Sequence, residues 1–182
     1  MRLTAEQEDD FRRFVEAHWH ALVRTAFLLV GDHGRAEDLV QQVLVSVHRR
    51  WATVDTAGSP TGYVRAALAN QAISNSRRNR VKETLFGGVS SSDRGSPPHG
   101  FDRDPRDAYR GIENRDALLG ALKDLPPRMR AVVVLRYFED LSEAATAQAL
   151  GISLGSVKSQ TSRALQRLRQ SLTATTSEGS LS

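Results

Sequence analysis

Cationic, hydroxyl and amide side chains recur along a segment near the C-terminus, and no acid occurs among them. They are Lys158, Ser159, Ser162, Arg163, Gln166 and Arg167. Lysine and arginine neutralise phosphates, while serine, glutamine and arginine also form hydrogen bonds with base edges. At helical spacing, apolar residues from Val157 to Leu172 fall on the opposite side. The segment therefore predicts an amphipathic helix that binds nucleic acid with its polar face.

The residues just before this helix, together with Val157 in its first turn, favour a tight turn between two helices. Ala147 is small enough for two helices to cross closely, Gly151 can adopt a left-handed turn, and Val157 can dock the second helix. Ser153 is suited to cap that helix. Together these features predict a DNA-binding helix-turn-helix. The alternative is an ordinary helical hairpin whose basic face is simply solvated.

Composition limits the other classes of function. The 182 residues include 40% hydrophobic and 25% charged residues, enough apolar material for packed cores. A net charge of +4 favours a polyanionic partner, although mildly basic proteins without one also exist. The absence of cysteine excludes disulfides, thiolate zinc sites and thiol nucleophiles. Because no stretch approaches the roughly 18 apolar residues of a membrane span, we expect a soluble, cytoplasmic protein.

The N-terminal part of the chain shows helical periodicity and no strand pattern. A first helix is predicted from Glu6 to about Leu29, and a second is capped by Asp32 and runs up to Trp51. After a break at Thr56–Ser59, Pro60 begins a third helix, which ends in a basic stretch. These helices predict a three-helix domain over residues 6–82.

A change in composition separates this domain from a second helical unit. Residues 83–113 are rich in glycine, serine, proline and acids, which predicts a flexible linker, either a solvated spacer or an acidic mimic of RNA. Residues 114–172 form the second domain, with helices at Asn114–Asp124 and Arg128–Phe138 before the helix-turn-helix. Residues 173–182 are a disordered tail. The predicted fold is all-α, with two small helical domains.

A metal site is the enzymatic alternative. The candidate ligands are His18, His20, His33, His48, Glu16, Glu37 and Asp38. His18 and His20 would point about 200° apart on a helix, and no Glu-x-x-His pair recurs on two helices. We therefore expect no metal, no cofactor and no enzymatic activity.

Most of the chain resembles one family. LPPRMRAVVVLRYFEDLSEAATAQALGISLGSVKSQTSRALQRLR is similar to region 4, the C-terminal promoter-binding domain of extracytoplasmic-function sigma factors in the sigma-70 family. GDHGRAEDLVQQVLVSVHRRW and PTGYVRAALANQAISNSRRNR resemble region 2 of the same family. The resemblance implies a factor that binds core RNA polymerase and promoter DNA and promotes DNA opening; an anti-sigma partner is a further hypothesis. The alternative is a free-standing helix-turn-helix regulator.

The resemblance also implies roles for individual residues of region 2. The helix from Ala36 to Val47 would dock on the polymerase through Glu37, Asp38, Gln41 and Gln42, although acids at a helix N-terminus are also favoured by the helix dipole. The third helix would capture the minus-ten element. Its candidate residues are Tyr63, Arg65, Asn70, Gln71, Ser74, Asn75, Arg77 and Arg78. Tyr63 could instead be a core residue.

In region 4, the resemblance implies contact with the minus-thirty-five element in the major groove. Lys158, Ser159, Ser162 and Arg163 would approach bases or flanking phosphates. Arg136 and Arg167 would lie nearer the DNA backbone. Ser76 is smaller than the residue that the family often carries at this position, which puts the recognised promoter sequence in doubt.

Overall fold

The computed structural model describes residues 3–56, 59–86 and 105–178, and within these ranges the chain forms helices and no strands. The α-helices are α1 (Ala5–Val30), α2 (His33–His48), α3 (Trp51–Thr56), α4 (Pro60–Phe86), α5 (Pro105–Asp124), α6 (Pro127–Val133), α7 (Glu143–Leu150) and α8 (Leu154–Glu178). A π-helical turn, Val134–Phe138, follows α6 directly. The predicted all-α fold is confirmed. No helix in the described ranges has the length and apolar character of a membrane span.

Local sequence signals define the first helix ends. Thr4 and Gln7 form a capping box at the start of α1, in which each side chain accepts a hydrogen bond from the other residue's backbone N–H. Gly31 ends α1 in the left-handed conformation, with φ 75°. The Asp32 carboxylate then accepts a 2.8 Å hydrogen bond from the Arg35 backbone N–H. The predicted end of the first helix near Leu29 and the predicted cap at Asp32 are both confirmed.

Helices α1, α2 and α4 pack around an apolar core that includes Leu22, Leu39 and Leu68. The structure adds a short helix, α3, between the predicted end of the second helix at Trp51 and the predicted break at Thr56–Ser59. Its Trp51 side chain is buried and lies against Phe11 and Phe14, with ring centroids about 5 Å apart in each pair. Burial of these aromatic rings explains why the segment folds back onto α1.

Helices extend into both ends of the predicted linker and into the start of the predicted tail. Helix α4 continues to Phe86 and α5 begins at Pro105, so both ends of the predicted 83–113 linker are helical. A proline fits the first turn of a helix because its missing N–H has no intrahelical partner there. Helix α8 likewise continues to Glu178, inside the predicted 173–182 tail. The remaining residues of both predictions lie outside the described ranges.

In the second domain, α5, α6 and α8 pack around Leu122, Val133 and Leu168. The predicted helix-turn-helix is formed by α7 and α8. Gly151 has a φ of 61°, and the Ser153 hydroxyl accepts a 3.1 Å hydrogen bond from the Ser156 backbone N–H. Val157 is fully buried beneath the turn. The sequence therefore predicts the turn residue, the cap and the docking residue correctly.

Replacing Gly151 by alanine should lower the free energy of unfolding by about 1 to 2 kcal/mol, because an L-residue in the left-handed region is strained. A Cβ at Gly151 would meet no atom within 4 Å, so the cost is conformational and not steric. Gly120 is the matched control, since a Cβ there also meets nothing and its backbone is helical. Gly120→Ala should stabilise the protein by up to about 1 kcal/mol. Urea denaturation of both variants tests the opposite signs.

Candidate nucleic-acid interface

The recognition face of α8 is exposed over two turns of helix. Its exposed members are Lys158, Ser159, Ser162, Arg163, Gln166 and Arg167. On the opposite side, Val157, Ala164 and Leu168 are buried. The apolar stripe therefore fixes the orientation of α8 and presents the polar residues to solvent, as the sequence predicts.

Only weak contacts within the protein restrain this face. Lys158 Nζ lies 3.9 Å from a Glu143 carboxylate oxygen, and both side chains are accessible to water. Such a pair contributes little to stability, so Lys158 can leave Glu143 and bind a phosphate instead. Arg163 and Arg167 form no ion pair with any other residue that the structure describes. Their guanidinium groups are available for a polyanionic ligand.

Arg136 has a different environment from the α8 arginines. It lies on the π-helical turn, half-buried, and its guanidinium donates to the Leu141 backbone carbonyl and lies 5.9 Å from the Tyr137 ring centroid. The side chain therefore braces the chain just before α7. If Arg136 contacts the DNA backbone as predicted, its guanidinium must bind the Leu141 carbonyl and a DNA phosphate at the same time.

Four of the predicted minus-ten residues share one face of α4. We call this the minus-ten face, and its members are Tyr63, Asn70, Ser74 and Arg77. Tyr63 and Arg77 are exposed, so Tyr63 is not a core residue. Gln71 and Asn75 flank this face and are joined by a 3.1 Å hydrogen bond, with exposed Arg78 beside them. Among these seven residues, Tyr63, Asn70, Arg77 and Arg78 are exposed, while Gln71, Ser74 and Asn75 are half-buried.

Arg65 does not lie on the minus-ten face. Five helical positions separate it from Asn70, which places the two side chains about 140° apart around α4. The Arg65 guanidinium points toward the second domain and lies 2.6 Å from the Glu139 carboxylate. The sequence prediction grouped Arg65 with the other minus-ten residues, but the structure places its side chain on a different side of α4.

The predicted polymerase-binding residues form a third surface, the α2 face. Asp38, Gln41 and Gln42 are exposed, while Glu37 is half-buried and lies 3.4 Å from His33. Val45, one turn after Gln41, is 58% exposed in the middle of this face. The sequence prediction omitted Val45, although helical periodicity places Val45 opposite the apolar stripe of α2 and could have indicated its exposure.

The histidines considered as metal ligands have other neighbours. His18 Nδ1 lies 2.9 Å from the Phe14 carbonyl and its ring stacks on Phe14, while His48 lies against Phe11. Within the described residues, no three His, Asp or Glu side chains form a group that could hold a metal ion.

Comparison with known proteins relates these surfaces to a family. Family models described as Sigma-70 region 2 and Sigma-70, region 4 match residues 14–81 and 115–168. The chain is 35% identical over 166 residues to RNA polymerase sigma-E factor of Streptomyces coelicolor, covering 91% of this chain and 87% of the relative. The chain belongs to the extracytoplasmic-function sigma factors. Members of this family are transcription initiation factors and not enzymes.

Two further relatives agree with this assignment. ECF RNA polymerase sigma factor SigL of Mycobacterium tuberculosis is 30% identical over 162 residues, covering 88% of each chain. A solved structure of sigma factor RpoE in complex with the anti-sigma factor NepR, from Bartonella quintana, superposes with a TM-score of 0.70. It is 26% identical and covers 90% of this chain and 97% of that one. The region 2 match also favours a sigma factor over a free-standing regulator.

Regions 2 and 4 of this sigma factor contact each other through residues that sequence patterns did not single out. Glu139 contacts both Thr25 and Arg65, and Arg130 donates a 2.9 Å hydrogen bond to the Leu29 carbonyl. Burial lowers the pKa of Arg130 from its ordinary value. Helical periodicity does not predict these interdomain contacts, because each residue contributes a single polar group at the edge of an apolar contact.

Proposed function

We propose that this sigma factor binds core RNA polymerase through the α2 face, contacts the minus-thirty-five element with α8 and captures the minus-ten element with α4. The observation that carries this proposal is the presence of separate exposed faces on the two domains that match regions 2 and 4. We assign region 2 to residues 6–82 and region 4 to residues 114–172, which include the residues 14–81 and 115–168 that the family models match. The protein acts in the cytoplasm, where it meets polymerase and DNA.

For the minus-thirty-five element, α8 enters the major groove with its N-terminal half. Lys158, Ser159, Ser162 and Arg163 lie on the exposed face of that half, within reach of bases and flanking phosphates. Arg167 lies one turn further and contacts the backbone. The phosphate contacts make promoter binding dependent on salt concentration.

For the minus-ten element, the minus-ten face captures bases of the non-template strand after they leave the stack. Single-strand capture needs a cationic track for the backbone and polar or aromatic surfaces for bases. Arg77 and Arg78 supply the track, while Tyr63 supplies an exposed ring. Asn70, Gln71, Ser74 and Asn75 supply the hydrogen-bonding groups.

The α2 face binds a basic surface of the polymerase. The exposed Asp38 carboxylate and the Gln41 and Gln42 amides can accept hydrogen bonds from arginines. Val45 adds an apolar contact at the centre of the same face. This mixture of an apolar centre and polar surroundings is typical of protein interfaces.

An anti-sigma partner is part of the proposal, because the Bartonella quintana relative was solved in complex with one. Such a partner would hold the protein inactive by binding to one or more of these faces. Purification of the tagged protein from its own cells should recover a stoichiometric inhibitor. Recovery of polymerase subunits alone would contradict this part of the proposal.

Transcription with purified components tests the main proposal. The protein is mixed with sigma-free core polymerase and a promoter library, after which transcripts are sequenced and opened template strands are mapped. We expect specific start sites only when protein and core are both present. Tight binding of the protein alone to duplex DNA, without redirection of the polymerase, would instead support a free-standing regulator.

A further inference from the structure

Region 4 packs directly onto region 2 in this structure. Ala131, Val134 and Leu135 of region 4 are fully buried, and they belong to the same apolar cluster as Leu22 and Leu68 of region 2. Burial of such side chains is the main source of favourable association free energy. The two domains therefore share one continuous core.

Glu139 is the charged centre of this interdomain contact. It caps the end of the π-helical turn, and its carboxylate side chain is only 7% exposed. One oxygen accepts a hydrogen bond from the Thr25 hydroxyl, and the other lies 2.6 Å from Arg65 Nε. Both partners belong to region 2. Since a buried carboxylate is costly without charged or hydrogen-bonding partners, these two contacts from region 2 offset the desolvation of Glu139 in the docked state.

A second polar contact reaches the minus-ten face itself. The Asn70 side-chain amide donates a 2.7 Å hydrogen bond to the Ala149 backbone carbonyl at the end of α7. Ile73 of α4 and Leu150 of α7 contribute to the shared core beside it. The end of α7 therefore occupies one edge of the minus-ten face, whereas Tyr63 on that face remains exposed.

We propose that region 4 acts as an intramolecular competitor of the minus-ten strand, with the end of α7 lying on the minus-ten face and the Glu139–Arg65 ion pair holding the two domains together. This inference rests on the proposed function of α4. The Asn70 amide cannot serve a base fully while it is bonded to Ala149, and the Glu139–Arg65 ion pair stabilises the docked state in which this bond forms. Because Tyr63 and Arg78 stay exposed, docking weakens strand capture without abolishing it.

Glu139→Gln tests the proposal in the full-length protein. The neutral amide keeps the shape of the side chain but removes the ion pair with Arg65, so the docked state loses stability relative to the open one. We expect the affinity for a labelled pool of random single-stranded DNA, about 12 nucleotides long, to rise roughly tenfold. Thr25→Val, which removes the hydroxyl from the other side of the contact, should act in the same direction with a smaller effect.

Domain separation is measured independently of DNA. The protein has no cysteine, so Ser46→Cys and Gln170→Cys, both at exposed positions, allow a donor and an acceptor dye to be attached to regions 2 and 4. Glu139→Gln should lower energy transfer between the dyes. Glu8→Gln is the matched control, because it removes the same charge from an exposed pair with His48 and should change neither measurement.

Each outcome has a distinct meaning. Unchanged energy transfer in Glu139→Gln would overturn the role of Glu139 in docking. Lower energy transfer with wild-type affinity for single-stranded DNA would overturn the competition. If the wild-type protein fails to direct core polymerase to any start site, the proposed function fails, while the energy-transfer result still reports on domain docking.

Discussion

Replacing Lys158 and Arg163 together by alanine should lower promoter affinity of the polymerase holoenzyme about 100-fold. Each specific contact in the major groove contributes about 1 to 3 kcal/mol, and about 1.4 kcal/mol corresponds to a factor of ten. Both side chains are exposed on the recognition face, and alanine favours helices, so the fold should be preserved. Fluorescence anisotropy with a minus-thirty-five duplex measures the loss.

Salt dependence separates a direct DNA contact from a general loss of charge. If both side chains contact phosphates, the slope of log affinity against log salt should become less negative by about 2. Arg169→Ala is a control on the same helix, since Arg169 is exposed but lies three turns beyond Lys158. It should change the affinity by less than about threefold. An equal loss in Arg169→Ala would argue against the assigned recognition face.

The helix-turn-helix could be predicted from sequence because local rules determine it. A left-handed residue at Gly151 and a hydroxyl cap at Ser153 depend on a few neighbouring positions. The polar face of α8 follows equally from helical periodicity. The structure confirms each of these features without any long-range contact.

Contacts distant in sequence could not be predicted in this way. Thr25 and Glu139 are 114 residues apart, and no pattern in either segment indicates their meeting. Arg65 shows the consequence, because its charge and position on α4 suggest a DNA contact while its guanidinium is paired with Glu139. Trp51 is similar, since its packing against Phe11 and Phe14 stabilises a short helix that helical periodicity did not indicate.

Composition also gave imprecise boundaries for the linker. Acidic and polar residues near Pro105 suggest an unstructured segment, yet they are compatible with the start of a helix. A polar helix that has no apolar stripe at its end is hard to distinguish from a linker by periodicity alone. The same ambiguity explains the continuation of α4 to Phe86.

Reversing the charge of Asp38 should have a comparably large effect on assembly with the polymerase. Asp38 is exposed in the middle of α2, so Asp38→Arg should leave the region 2 core intact. The introduced arginine would then face the basic polymerase surface proposed above. Such a juxtaposition of like charges costs several kcal/mol at an interface. We expect the affinity for core polymerase to fall by about 100-fold or more. Competition binding with labelled wild-type protein measures this change.

Glu16→Arg is the control for this variant. Glu16 is also an exposed acid, but it lies on α1, outside the α2 face, so reversing its charge should leave the affinity for core polymerase nearly unchanged. Equal losses for Asp38→Arg and Glu16→Arg would show that net charge governs assembly. A selective loss for Asp38→Arg, together with a similar loss for Val45→Asp, would place the polymerase on the α2 face and give the exposed valine a function.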